Sequence, residues 1–152
     1  MNILLNIILI KFSYLIISVY GFWSYPQSKI GFGNNVDIKG NVYSLTRGKK
    51  YAAFMGISYA KPPIKELRFE PPVMNEINQT IEAKNLGSSC VQEKDGKLSG
   101  DEDCLFLNVY TPWPLNEEKK YPVMFWIHGG AFSKGDGGWQ YYGADYLLEQ
   151  DV

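Results

Sequence analysis

Val123-Met124-Phe125-Trp126-Ile127, followed at once by His128-Gly129-Gly130-Ala131-Phe132, is the stretch whose reading decides the fold. An apolar run with β-branched and aromatic residues, bounded by Pro122 and a glycine pair, predicts a strand buried on both faces, as in a parallel sheet. The turn that leaves it is rich in glycine, so its N–H groups can point into open space with no Cβ in the way. Donors fixed there suit a carbonyl oxygen that gains negative charge in a tetrahedral intermediate. Glycine-rich turns after strands also cradle phosphates or simply close a corner, and this short string by itself leaves those readings open.

The chain has 152 residues, 45% hydrophobic and 15% aromatic, with a formal net charge of -1. That length predicts one domain, and the apolar fraction predicts a globular core rather than disorder. Lys and Arg are scattered and nearly balanced by acids, which argues against nucleic acid as a partner. Residues 1–10 and 12–20 are mostly apolar, broken by Lys11, and Val19-Tyr20-Gly21 places Val19 and Gly21 at positions a signal peptidase tolerates. Residues 1–21 therefore read as a secretory signal peptide, with the mature domain from 22 to 152. Neither apolar stretch approaches the ~20 residues needed to span a bilayer. The alternative is a buried N-terminal helix.

Export fits two further features. Cys90 and Cys104 are the only cysteines, and an even pair in an exported chain normally bonds, whereas a chain kept inside the cell would leave two buried thiols. Asn78-Gln79-Thr80 is an N-glycosylation sequon in a polar stretch, as on a surface loop.

Along the chain, residues 31–35 read as a turn-rich entry. Val36-Asp37-Ile38 and Val42-Tyr43-Ser44-Leu45 alternate apolar and polar around Gly40-Asn41, which predicts a hairpin with one buried face. Residues 51–57 predict a third strand. Pro62-Pro63 and Pro71-Pro72 bracket an extended segment closed to helix. Residues 81–86 fit a strand or a short helix, and 92–101 a polar loop. Leu105, Leu107 and Val109 alternate with Phe106, Asn108 and Tyr110, predicting another strand. A charged, proline-flanked connection leads to residue 123. Residues 144–150 predict a turn or two of helix, and Asp151-Val152 the start of a further strand.

Glu102-Asp103-Cys104-Leu105-Phe106-Leu107-Asn108-Val109-Tyr110-Thr111-Pro112 resembles the second signature of the type-B carboxylesterase/cholinesterase family. Further blocks match in the same order: Phe54-Met55-Gly56-Ile57-Ser58-Tyr59-Ala60-Lys61-Pro62-Pro63 with Leu67-Arg68-Phe69, then residues 123–132, then Tyr142-Gly143-Ala144-Asp145-Tyr146-Leu147-Leu148. The resemblance runs from about residue 36 to 152. It implies an α/β class: the N-terminal part of an α/β-hydrolase fold, with small antiparallel strands leading into a central, mostly parallel sheet, incomplete as it stands. It also implies oxyanion donors at the N–H groups of Gly130 and Ala131, and loop support from His128 and Gly129. A disulfide between Cys90 and Cys104 and a buried ion pair between Arg68 and Glu102 follow from it as well. Alanine at 131 replaces the usual third glycine, Ser58 stands where proline is usual, Ile64-Lys65 replaces a valine or isoleucine followed by glycine, and Lys134-Gly135-Asp136 replaces a Gly-Ser-rich continuation.

The implied reaction, serine attack on a carboxylic ester and hydrolysis of the acyl-enzyme, needs a serine elbow, an acid and a histidine in that chain order. No Gly-x-Ser-x-Gly occurs, and none of the triad is present; Gly56-Ile57-Ser58-Tyr59-Ala60 is a decoy in a structural segment. His128, the sole histidine, belongs to the oxyanion loop and reads as a brace for it, not as a base. One histidine and one cysteine pair assemble no metal site, and no cofactor is implied. The expected partner is a small ester, with oligomeric state left open. Two alternatives stand beside the esterase: a non-catalytic adhesion or recognition ectodomain on the same scaffold, and a small secreted binding module.

Overall fold

The computed structural model describes residues 27–31, 36–116 and 118–150. The leader expected at 1–21, most of the entry turn and the strand expected at Asp151-Val152 lie outside those residues. In chain order the elements are β1 (Gln27–Gly31), β2 (Asp37–Ser44), β3 (Lys50–Ser58), a 3-10 turn (Lys65–Leu67), β4 (Ile81–Glu82), β5 (Gln92–Lys94), β6 (Lys97–Ser99), β7 (Phe106–Trp113), α1 (Trp139–Tyr142) and α2 (Asp145–Leu148). β1, β2, β3 and β7 lie side by side in a five-stranded sheet whose remaining member, β4, pairs with β2. β4 runs parallel to β2 and the other pairs are antiparallel, so the sheet is mixed.

The hairpin expected at Gly40-Asn41 is absent: β2 runs straight through both residues. Gly40 is there for close approach. A Cβ on it would lie 2.3 Å from the Ala53 carbonyl oxygen and 2.7 Å from Phe54 Cδ1, so β3 can pack on β2 only if that side chain is missing. The chain reverses later, where Leu45 N–H donates to Lys49 O at 2.8 Å and Gly48, at φ +82°, donates to Leu45 O at 3.1 Å.

β3 is the spine of the core. Its register against β7 shifts between Phe54 and Ile57, at Gly56, whose φ is +70°. The side chain of Asn108 on β7 accepts the Gly56 N–H through Oδ1 at 2.9 Å. An extra residue in one strand inverts the side-chain parity beyond it. Ile57 therefore joins Ala52 and Phe54 in a cluster with Ile38 and Ala83, while Tyr51, Ala53 and Met55 pack with Leu45 and Leu148 on the opposite face. Phe54 is fully buried, a burial that stabilises by about 2–3 kcal/mol.

Within residues 81–86, Ile81–Glu82 form a short strand and Lys84 a single bridge to Met55. Ala83 N–H donates to Lys39 O at 2.7 Å, and Ala83 O accepts from Met55 N–H at 2.8 Å, so the segment wedges between β2 and β3. At its surface Glu82 receives Lys84 at 2.6 Å and Lys39 at 3.0 Å. Those two ammonium groups, Lys84 foremost, hold its carboxyl below the usual carboxylate range.

Three expectations need correction. Between the proline pairs the chain makes one 3-10 turn, Lys65–Leu67, because prolines at the flanks forbid a long helix but not a single turn. Residues 92–101 are a hairpin rather than a loop. Asp95 and Gly96, at φ +54° and +74°, supply the left-handed pair that a tight strand reversal needs. Residues 123–127 form no strand, and Val123, Phe125 and Ile127 are 93%, 83% and 75% exposed. A central parallel strand is defined by neighbours on both edges, and among the described residues none pairs with this run.

Candidate functional site

The turn after residue 127 is built from backbone. His128 Nδ1 donates to the Gly129 carbonyl at 2.8 Å. The Gly130 carbonyl accepts from Ser133 N at 3.1 Å, Lys134 N at 3.2 Å and Ser133 Oγ at 3.2 Å. Both carbonyls are thereby engaged inside the turn. Among the described residues, neither the Gly130 nor the Ala131 N–H donates a hydrogen bond.

Gly130, not Gly129, supplies the conformational freedom. Its φ is +129°, and a Cβ there would fall 1.7 Å from Lys134 O, whereas one on Gly129 would meet open space. Ala131 and Phe132 follow at φ +53° and +58°. Each L-residue held left-handed costs about 1–2 kcal/mol, so the turn keeps two strained positions in a row. Phe132 is fully exposed.

Downstream, the chain returns to the sheet. Asn108 Nδ2 donates to Gly137 O at 3.0 Å, so one side chain ties both the β3 bulge and the loop exit. Trp139 on α1 stacks on Tyr43, and its Nε1 donates to Tyr51 Oη at 3.1 Å. Leu148 on α2 is buried against β3. Burial raises the Tyr51 phenol, and burial followed by the charge of Asp145 pushes Tyr110 up to about 12 from 10.0. A raised phenol pKa means that the folded state holds its proton where the unfolded chain releases it. Stability should therefore be intact below pH 10.0 and fall as pH climbs toward about 12. Tyr110→Phe should flatten that alkaline loss in denaturant titrations run across the same range.

Cys90 and Cys104 are joined, with their Cα atoms 4.9 Å apart across a sequence separation of 14. Closing a loop of that size stabilises by about 3 kcal/mol in the chain-entropy model. The double substitution Cys90→Ala/Cys104→Ala should lower the urea midpoint accordingly. Arg68 Nη2 lies 2.7 Å from Glu102 Oε1, but the side chains are 57% and 41% exposed. The pair expected to be buried faces water, where screening leaves an ion pair about 0–1 kcal/mol. Arg68→Ala should therefore shift stability by less than about 1 kcal/mol in the same titration, rather than the ~3–5 kcal/mol lost on breaking a buried pair.

Asn78 is exposed. Ser58 Oγ donates to Ala60 O at 2.8 Å and accepts from Asn75 Nδ2 at 3.3 Å, a structural hydroxyl clamping a bend. Asn108 was legible in the sequence only as a polar residue in an alternating strand; its two-sided clamp depends on the bulge. No helix among the described residues is long and apolar enough to cross a membrane.

With that geometry in view, the likeness to known proteins is informative. The carboxylesterase family matches residues 24–152. A carboxylic ester hydrolase of Bombus ignitus is 43% identical over 122 residues, which cover 74% of this chain and 21% of that protein. Juvenile hormone esterase of Tribolium castaneum is 34% identical over 132 residues, 84% of this chain and 22% of its own length. The crystal structure of juvenile hormone esterase from Manduca sexta, with OTFP covalently attached, superposes with a TM-score of 0.73 at 30% identity, covering 84% of this chain and 25% of that one. The chain thus spans only 21–22% of the length of these first two relatives. With ordered sequence blocks, a superposition at a TM-score of 0.73 and a family match over residues 24–152, the chain belongs to the carboxylesterase family.

Proposed function

We propose that this chain is the N-terminal portion of an exported serine hydrolase of carboxylic esters, and that it supplies the oxyanion hole. The turn at 130–134 carries the reading. The Gly129 and Gly130 carbonyls are engaged internally while the Gly130 and Ala131 N–H groups remain available to an anion. Donors fixed before the reaction stabilise the tetrahedral oxyanion without reorganising as charge develops. His128 braces the turn through Gly129 and moves no proton. The serine, the acid and the basic histidine come from sequence outside these residues, so the 152-residue chain alone turns over no ester. Residues 1–21 direct export, and Asn78 carries a glycan.

The decisive experiment is to read the transcript through the codon for Val152, express the complete reading frame, and assay it with p-nitrophenyl butyrate beside the 152-residue chain. The expected result is a Gly-x-Ser-x-Gly elbow, then acid and histidine in order, with hydrolysis by the complete protein only. A continuation lacking the serine, and no hydrolysis, would make this an adhesion-type relative.

A further inference from the structure

A turn as exposed and as strained as residues 130–134 does not hold its own position, since the donors to its Gly130 carbonyl come from Ser133 and Lys134 of the same turn. One side chain from a separate part of the chain grips the residue that follows it, Gly135, by both of its backbone groups. Gln92 Oε1 accepts the Gly135 N–H at 2.8 Å, and Gln92 Nε2 donates to the Gly135 carbonyl at 3.0 Å. The same Nε2 donates to Cys90 O at 3.1 Å. The side-chain amide thus imitates one rung of a β-ladder, filling both bonding groups of a single backbone residue.

Gly135 is the right residue to grip. Its φ is +112°, and a Cβ on it would stand 2.6 Å from both Gly129 O and His128 Nδ1. The backbone at 135 is therefore pressed directly against the start of the turn, so a shift there moves the Gly129–Gly130 peptide, whose N–H is one of the two donors. On the other side, Gln92 opens β5, two residues beyond the disulfide that ties Cys90 to Cys104 just ahead of β7. A covalent path followed by two short hydrogen bonds thus links the sheet to the loop.

Resting on the oxyanion role of Gly130 and Ala131, we propose that Gln92 is a positioning residue that sets the aim of those N–H groups by clamping Gly135. The amide is the functional chemistry. A carboxylate at 92 keeps the acceptor and loses the donor to Gly135 O, whereas a protonated carboxyl restores both. A thioether of similar length supplies neither.

The test uses the complete protein, comparing wild type with Gln92→Met, Gln92→Glu and Gly130→Ala. With p-nitrophenyl butyrate, Gln92→Met should lower kcat roughly 10–100-fold with KM within about twofold. Affinity for a trifluoromethyl ketone, which binds as an oxyanion, should fall in parallel with kcat. For Gln92→Glu, the ratio of its kcat to that of wild type should rise as pH drops from 8 to 5, because the neutral acid rebuilds the clamp. Amide hydrogen exchange should accelerate at Gly130, Ala131 and Gly135 in Gln92→Met while the core of β3 stays protected. A kcat per folded molecule equal to wild type, a change confined to KM, or unchanged exchange at 130–135 each overturns the proposal. If Gly130→Ala also leaves kcat intact, or the wild type hydrolyses nothing, the oxyanion assignment itself falls and the clamp's catalytic role falls with it. Loss of kcat in Gly130→Ala alone removes only Gln92.

Discussion

Gly130→Ala should reduce kcat/KM of the complete protein about 10²–10³-fold, the range seen when a single oxyanion donor is lost. The added methyl has nowhere to go. It would be built 1.7 Å from the Lys134 carbonyl oxygen, on a backbone whose φ of +129° L-residues rarely adopt. The turn must open, which releases the Ser133 and Lys134 bonds to the Gly130 carbonyl and turns the Gly130–Ala131 peptide away from the oxyanion. KM should change much less than kcat, because the donors act most strongly on charge that exists only in the transition state. Ala131→Gly provides the control. It removes a left-handed Cβ at φ +53° while leaving the N–H in place, so activity should hold. Steady-state kinetics on the pair, with circular dichroism to confirm folding, checks both arms. Equal losses in the two variants would mean that the turn is merely fragile.

The second large effect concerns residues 123–127. Val123, Phe125 and Ile127 are more than half exposed, as are Met124 at 56% and Trp126 at 54%, and the run carries no charge. An unpaired apolar segment with free backbone groups is a template for pairing with another copy. Residues 22–152, produced alone, should self-associate and elute in or near the void volume on size exclusion. Phe125→Lys/Ile127→Lys should restore a monomeric fraction without altering β2 and β3, whose core is elsewhere. A wild-type chain that stays monomeric across a concentration series, with a sharp melt, would show that this run is not an adhesive edge.

Much of the candidate site was legible in the sequence. Gly130 and Ala131 sit in a turn that only glycine at 130 permits, and the string His128-Gly129-Gly130-Ala131 already pointed to it. The bonded cysteines were equally visible. Other features were hidden for definite reasons. Gly40 has the look of a turn residue, and nothing local distinguishes a glycine required by a turn from one required by a neighbouring strand. The type of hairpin at Asp95-Gly96 was available in the dipeptide, but polar flanks masked the short strands beside it. Gln92 and Asn108 could not be found as loop anchors, because their partners lie at sequence separations of 43 and 29. The exposure of Arg68 and Glu102 was likewise beyond reach, since burial depends on what covers a pair and not on its identity.

Alternation and punctuation in the sequence by itself determined that β3 and β7 are strands and that the chain turns with glycine after residue 127, while the ordered motif blocks carried the family resemblance. The strands and the turn are local properties, set by backbone preference and by side-chain period. Tertiary structure alone decided that β2 runs unbroken past Gly40, that the segment 81–84, with β4 at its start, wedges between β2 and β3, and that the bulge at Gly56 flips Ile57 onto the face of Phe54. It also left the most strand-like run of the chain, 123–127, without a ladder. The reason is the same throughout: a strand is completed by its neighbours, and hydrogen bonds between distant segments are not written in either segment alone.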